Sequence, residues 1–183
     1  MHRRENQGDP MERVFKAIRQ VVDQHKDVEI IYPVHLNPVV QKMAEQVLGN
    51  HPRIHLIAPL EVVDFHNLAA KSYLIMTDSG GVQEEAPSLG VPVLVLRNTT
   101  ERPEGVAAGT LKLVGTQTEM IIKEMTNLIV NEAAHKKMAL ANNPYGDGTA
   151  SERILNSIAY ICDYEKERPK DFVNETVIEA KRK

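Results

Sequence analysis

At 183 residues, 42% of them apolar and 26% charged, the chain is long enough to bury one ordinary core but too short to divide comfortably into two large domains. The formal net charge is -3, and Lys and Arg are dispersed among acidic residues, so the basic stripe of a nucleic-acid binder is missing and nucleic acid is excluded as an expected partner. There is no run of about 18 apolar residues, and no apolar segment follows the polar start His2-Arg3-Arg4-Glu5-Asn6, so a soluble, unsecreted, cytoplasmic protein without a membrane partner is expected.

Apolar runs of strand length alternate with amphipathic stretches, the pattern of a parallel sheet covered by helices; the fold class expected is α/β and Rossmann-like. A first helix is predicted from about Pro10, capped by Asp9, with Val14, Phe15, Ile18 and Val22 on one face. Val28 to Tyr32 follows as a buried strand. Asn37 and Pro38 read as the cap and first position of a helix running to Leu48. Ile54 to Ile57 is the next strand, Glu61 to Ser72 a helix, and Tyr73 to Thr77 a strand cut short by Asp78-Ser79-Gly80-Gly81. A helix resumes from Val82 to Leu89, Gly90 closes it, and Val91 to Leu96 is a fully apolar strand. Leu111 to Val114 is the last strand, followed by helices over 119–130, 132–141 and 151–164. In the last of these, Ile154, Leu155, Ile158 and Ile161 are expected to face inward. Cys162, the single cysteine, rules out an internal disulfide and a thiolate cluster, fits a reducing compartment, and is expected to pack in that helix. Residues 1–165 read as one domain. Residues 166–183 read as a charged tail, either solvated or forming a short helix against another domain.

The chemistry concentrates where the third strand ends. Ser79-Gly80-Gly81 lets a ligand approach the backbone at a helix start, where exposed N–H groups favour a phosphate or diphosphate and Ser79 adds a hydroxyl. The place is also the carboxyl edge of the sheet, the general ligand position of open α/β folds. Of the adjacent carboxylates Glu84 and Glu85, one is suited to accept two vicinal ribose hydroxyls while the other turns away. Arg102, on the loop after the next strand, reads either as a second anion ligand or as a surface ion pair with Glu101 or Glu104. His35, between Pro33 and Pro38, reads as a ligand donor or as a structural residue. The donor-dense opening at 2–6 reads as a phosphate or sugar contact or as a loose terminus.

Five ordered segments carry a resemblance: His2-Arg3-Arg4-Glu5-Asn6, Tyr32 to Pro38, Phe65-His66-Asn67-Leu68, Asp78 to Gly90, and Thr99 to Gly105, with the later Asn143-Pro144-Tyr145-Gly146-Asp147-Gly148 in addition. Together they resemble the non-hydrolysing UDP-N-acetylglucosamine 2-epimerases over nearly the whole chain. The resemblance implies the C-terminal half of a glycosyltransferase-B type fold, whose active site lies in a cleft between two Rossmann-like halves. It implies that Ser79, Gly80 and Gly81 hold the diphosphate of UDP, that Glu85 takes the ribose, that Phe65 and its neighbours receive uracil, and that Arg102 shares the pocket. It further implies that His2 is the histidine facing the substrate, and that Arg3 and His35 touch a second, allosteric UDP-N-acetylglucosamine. No cofactor or metal is expected. The partners expected are UDP, UDP-N-acetylglucosamine and either an N-terminal half or a second copy. The family's acidic catalytic residues lie in the other half, so the chain alone is expected to bind UDP weakly if at all and not to epimerise. The alternatives are a non-catalytic UDP-sugar-binding or interaction module needing a separate N-terminal half, and the donor half of a glycosyltransferase, which the five motifs disfavour.

Overall fold

The computed structural model describes residues 1–171. Helix α1 (Asp9–Gln24) lays Met11, Val14, Phe15, Ile18, Val21 and Val22 into the main core. Its cap is Gly8 and not Asp9: Gly8 takes φ 79°, a left-handed value suited to glycine, and Asp9 is drawn into the first turn. Strand β1 (Ile30–Pro33) leads to α2 (Pro38–Leu48), where the Asn37 side chain accepts from Val39 N at 2.9 Å as the sequence predicts. Strand β2 (Ile54–Ile57) runs parallel to β1 in the register Ile30 to Ile54.

Helix α3 (Val62–Ala70) precedes β3 (Ile75–Thr77), and α4 (Gly80–Glu85) starts after two intervening residues, Asp78 and Ser79. A 3-10 turn (Ala86–Leu89) and left-handed Gly90 return the chain to β4 (Val93–Val95). Helix α5 (Pro103–Ala108) occupies part of a segment read from sequence as a loop, and β5 (Leu111–Leu113), α6 (Thr118–Val130), α7 (Glu132–Ala139) and α8 (Ala150–Ile161) complete the order.

All ladders are parallel, but they form two sheets, β1-β2 and β3-β4-β5. Helix α1 spans both, packing on α2 on one side and α6 on the other. The N-terminal segment ties them a second time: the Tyr32 hydroxyl of β1 donates to the Met1 carbonyl at 3.0 Å, while His2 and Arg3 are held by Asp78 after β3. Strand β4 is buried on both faces. Leu94 enters the main core with Ile121, Met125 and Leu128 of α6, and Val93 and Val95 join Ala86 and Leu111 in a smaller core opposite. Such two-sided burial explains its unbroken apolar sequence.

Helix α8 departs from expectation. Ile154, Leu155, Ile158 and Ile161 are 60, 65, 53 and 76% exposed, so among the described residues the face predicted to point inward is not buried. Periodicity identifies an apolar stripe but not the surface that covers it. Cys162 at its end is exposed and packs no core. Of the tail, residues 166–171 are irregular and mostly exposed, and the remainder lies outside the described residues.

Candidate functional site

Three segments converge at the carboxyl ends of β3 and β4: the Asp78-Ser79 turn, the loop 97–102, and residues 1–6 laid across both. Asp78 organises them. Its carboxylate is fully buried and accepts from His2 N at 3.0 Å, Arg3 N at 2.9 Å and Asn6 Nδ2 at 3.0 Å. Burial alone would push this carboxyl up. The amino-terminal charge and the hydrogen bonds from Arg3, Asn6 and His2 outweigh it and hold the group below the usual carboxylate range. Asn6, expected with the rest of 2–6 to contact a ligand or to be loose, instead holds Asp78, whose part the sequence signals only as a carboxylate placed directly after an apolar strand, where it must find donors.

His2 sits between two neighbours. Its Nδ1 is 3.5 Å from Asp78 Oδ1, and its ring lies over His35 with centroids 5.1 Å apart and planes 10° from parallel. His35 Nδ1 accepts from Asn37 N at 3.0 Å, fixing that ring to the start of α2. Burial pushes the His2 imidazole below its ordinary value and Asp78 offsets this only in part, which favours the neutral ring. Arg3 reaches the turn itself. Its Nε donates to the Asp78 carbonyl at 3.3 Å, its Nη1 is 3.6 Å from Glu101, and an added Cβ on Gly80 would lie 3.8 Å from its Nη2.

Ser79 is the N-cap of α4, yet its hydroxyl makes no cap hydrogen bond. The N–H groups of Gly80 and Gly81 belong to the first turn and have no intrahelical partner. Neither glycine has a positive φ, and a Cβ on either would meet nothing nearer than 3.7 Å. The fold itself therefore does not require glycine at these two positions. By contrast, Gly105 is required, since a Cβ there would overlap the Tyr145 hydroxyl and Leu111.

Beyond the turn, Arg102 Nε donates to Glu84 and its Nη1 to the Glu101 carbonyl at 3.1 Å. The ion pair is thus with Glu84, and not with the Glu101 or Glu104 side chains named from sequence. Glu101 pairs with Arg97 at 2.6 Å, which holds its carboxyl below the ordinary value. Glu85 points the other way, to His66 Nε2 at 3.1 Å, and the His66 ring lies 6.1 Å from that of Phe65 on α3. From Phe65 the site runs through His66, Glu85, Gly81, Gly80, Arg3 and Asp78 to His2 and His35, a continuous strip along one edge. Among the described residues, no group of three His, Cys, Asp or Glu could hold a metal, and no helix is long and apolar enough to cross a membrane.

Parallel α/β layers with helix-start N–H groups and arginines at the carboxyl edge of the strands place the chain in the doubly wound class, in which ligands sit at that edge. The family model for UDP-N-acetylglucosamine 2-epimerase matches residues 1–159. This chain belongs to that family. It is 60% identical over 171 residues to the UDP-N-acetylglucosamine 2-epimerase of Bacillus subtilis, covering 93% of this chain and 45% of that protein. It superposes on MnaA of S. aureus, solved with UDP, with a TM-score of 0.90 and 56% identity over 94% of this chain and 47% of that one. The UDP-GlcNAc 2-epimerase of Neisseria meningitidis, bound to UDP-GlcNAc, gives a TM-score of 0.82 and 48% identity over 86% of this chain and 42% of that one. The chain spans less than half the length of these relatives.

Proposed function

We propose that this chain supplies the UDP-holding half of a UDP-N-acetylglucosamine 2-epimerase, which interconverts UDP-GlcNAc and UDP-ManNAc. The order of residues along the strip carries the reading: an aromatic ring at Phe65, a carboxylate at Glu85, bare backbone at Ser79, Gly80 and Gly81, and an imidazole at His2. Base, ribose, diphosphate and sugar follow one another in the same order along the ligand. Glycines that neither backbone conformation nor packing requires are accounted for by a diphosphate approaching the N–H groups.

The reaction removes the C2 proton and breaks the bond from C1 to the diphosphate oxygen, releasing UDP and leaving a 2-acetamidoglucal. Return of a proton to the opposite face of C2 and re-addition of UDP at C1 complete the inversion. In this half, the Ser79 to Gly81 donors and Arg102 stabilise the charge on the leaving diphosphate, a preorganised contribution worth most when water is excluded. His2, held by Asp78 and His35, faces the sugar end. Arg3 and His35 border the position of a second UDP-N-acetylglucosamine acting as effector. No base for C2 is available here, because Glu84 is paired with Arg102 and Glu85 stands at the ribose end. Residues 1–165 constitute the binding half and residues 166–183 its tail. An N-terminal half, or a second copy, supplies the rest of the cleft, so this chain assayed alone binds UDP weakly and does not epimerise.

Equilibrium dialysis of the chain against UDP, UMP and uridine, with an assay for UDP-ManNAc formation, tests this reading. UDP is expected to be retained above UMP and uridine, with no product formed. Retention of uridine equal to UDP, or turnover by the chain alone, would overturn it.

A further inference from the structure

Gln83 is the one residue of α4 whose polar side chain is completely buried, and both ends of its amide are engaged. Its Nε2 donates to the Ser79 carbonyl at 3.1 Å, and its Oε1 accepts from Thr100 Oγ1 at 2.6 Å. The Thr100 oxygen in turn accepts from Arg102 N at 3.0 Å. A relay of three hydrogen bonds therefore joins the main chain of Ser79 to the main chain of Arg102, across two loops that follow different strands. Next to it, Glu84 holds the Arg102 side chain.

We propose that Gln83 is a positioning residue: through Thr100 it sets the spacing between the Ser79 to Gly81 N–H groups and the Arg102 guanidinium, and so selects a diphosphate over a monophosphate. A diphosphate needs both sets of donors at a fixed separation, whereas a monophosphate is satisfied by either. A fully buried amide with both its donor and its acceptor engaged is suited to this, since displacing one loop breaks a hydrogen bond of that amide. The inference rests on the reading of Ser79 to Gly81 and Arg102 as two ends of one diphosphate site.

The test uses the whole chain with Gln83→Met, Thr100→Val, both together, and Thr100→Ser. Backbone 15N relaxation is measured first, without ligand. Loss of the relay is expected to loosen residues 99–102 in Gln83→Met and in Thr100→Val alike, and Thr100→Ser is expected to restore their order. Titration with UDP and UMP follows. Each single variant is expected to weaken UDP about tenfold and UMP hardly at all, and the double variant to lose no more than either single one, because one relay is broken once. Additive losses, equal losses for UDP and UMP, or unchanged order of 99–102 would overturn the proposal. If the wild-type chain binds no UDP, the diphosphate reading fails by itself, and the relaxation comparison still decides whether Gln83 couples the two loops.

Discussion

The side-chain amide of Asn6 donates to Oδ2 of Asp78 at 3.0 Å across 72 positions of sequence. Both groups are buried, and the contact seats the segment that carries His2 and Arg3 on the turn that carries Ser79 and Gly80. The two halves of the proposed ligand contact, sugar end and diphosphate end, are thereby built on one carboxylate.

Asp78→Asn replaces an acceptor oxygen with a donor facing N–H groups and is expected to cost about 2 kcal/mol. The folded-state pKa of Asp78 is lowered, so its contribution is fully present above the unfolded value of about 3.9 and is lost as pH falls through the folded value. Urea unfolding from pH 7 downward should show wild type losing stability in that acid range, and Asp78→Asn losing less.

Gly80→Ala and Gly81→Ala should separate stability from binding. A Cβ is accommodated at both positions and alanine favours the helix, so stability is expected to stay level or rise by about 0.5 kcal/mol. Gly105→Ala, which drives a methyl into Tyr145 and Leu111, is expected to cost about 1–3 kcal/mol. Thermal unfolding of the three variants, with UDP titration of the first two, checks both halves of the statement: the first two lose UDP without losing stability.

The His2 imidazole is expected to titrate below its ordinary value of about 6.5, since burial dominates its surroundings. Proton NMR of its ring through a pH series measures this. His35→Ala should move the midpoint upward, because His35 opposes a positive charge on its neighbour. It should also shift the His2 ring resonances through loss of the stacked ring at 5.1 Å.

The uncovered stripe of α8 predicts a sticky surface. Ile154→Lys with Ile158→Lys removes apolar area that is already exposed, so unfolding free energy should change by less than about 0.5 kcal/mol while binding of an apolar fluorescent dye falls.

Apart from the short helix α5, the order and type of the main elements were legible where an apolar run fits one period and its boundary carries a signal, as Asn37-Pro38 and Gly90 show. The division into two sheets was not, since strand pairing depends on contacts that no local pattern records. The α8 stripe was read correctly as apolar and wrongly as covered, because spacing marks an apolar face and not what packs on it, and among the described residues the face is exposed. At the site, Ser79, Gly80, Gly81 and Arg102 stood out by residue type beside a strand end. Asp78 and Gln83 did not, because what distinguishes them is complete burial with hydrogen bonds to other segments, Asn6 for Asp78 and Thr100 for Gln83.

The most direct test of the central claim, that this edge holds the diphosphate and ribose of UDP, is calorimetric titration of the folded chain with UDP, repeated for Ser79→Ala and Glu85→Ala. Saturable one-to-one binding, weakened about tenfold in each variant, is the result expected. A chain shown to be folded by circular dichroism that gives no saturable heat with millimolar UDP, or variants that bind as wild type does, would contradict it.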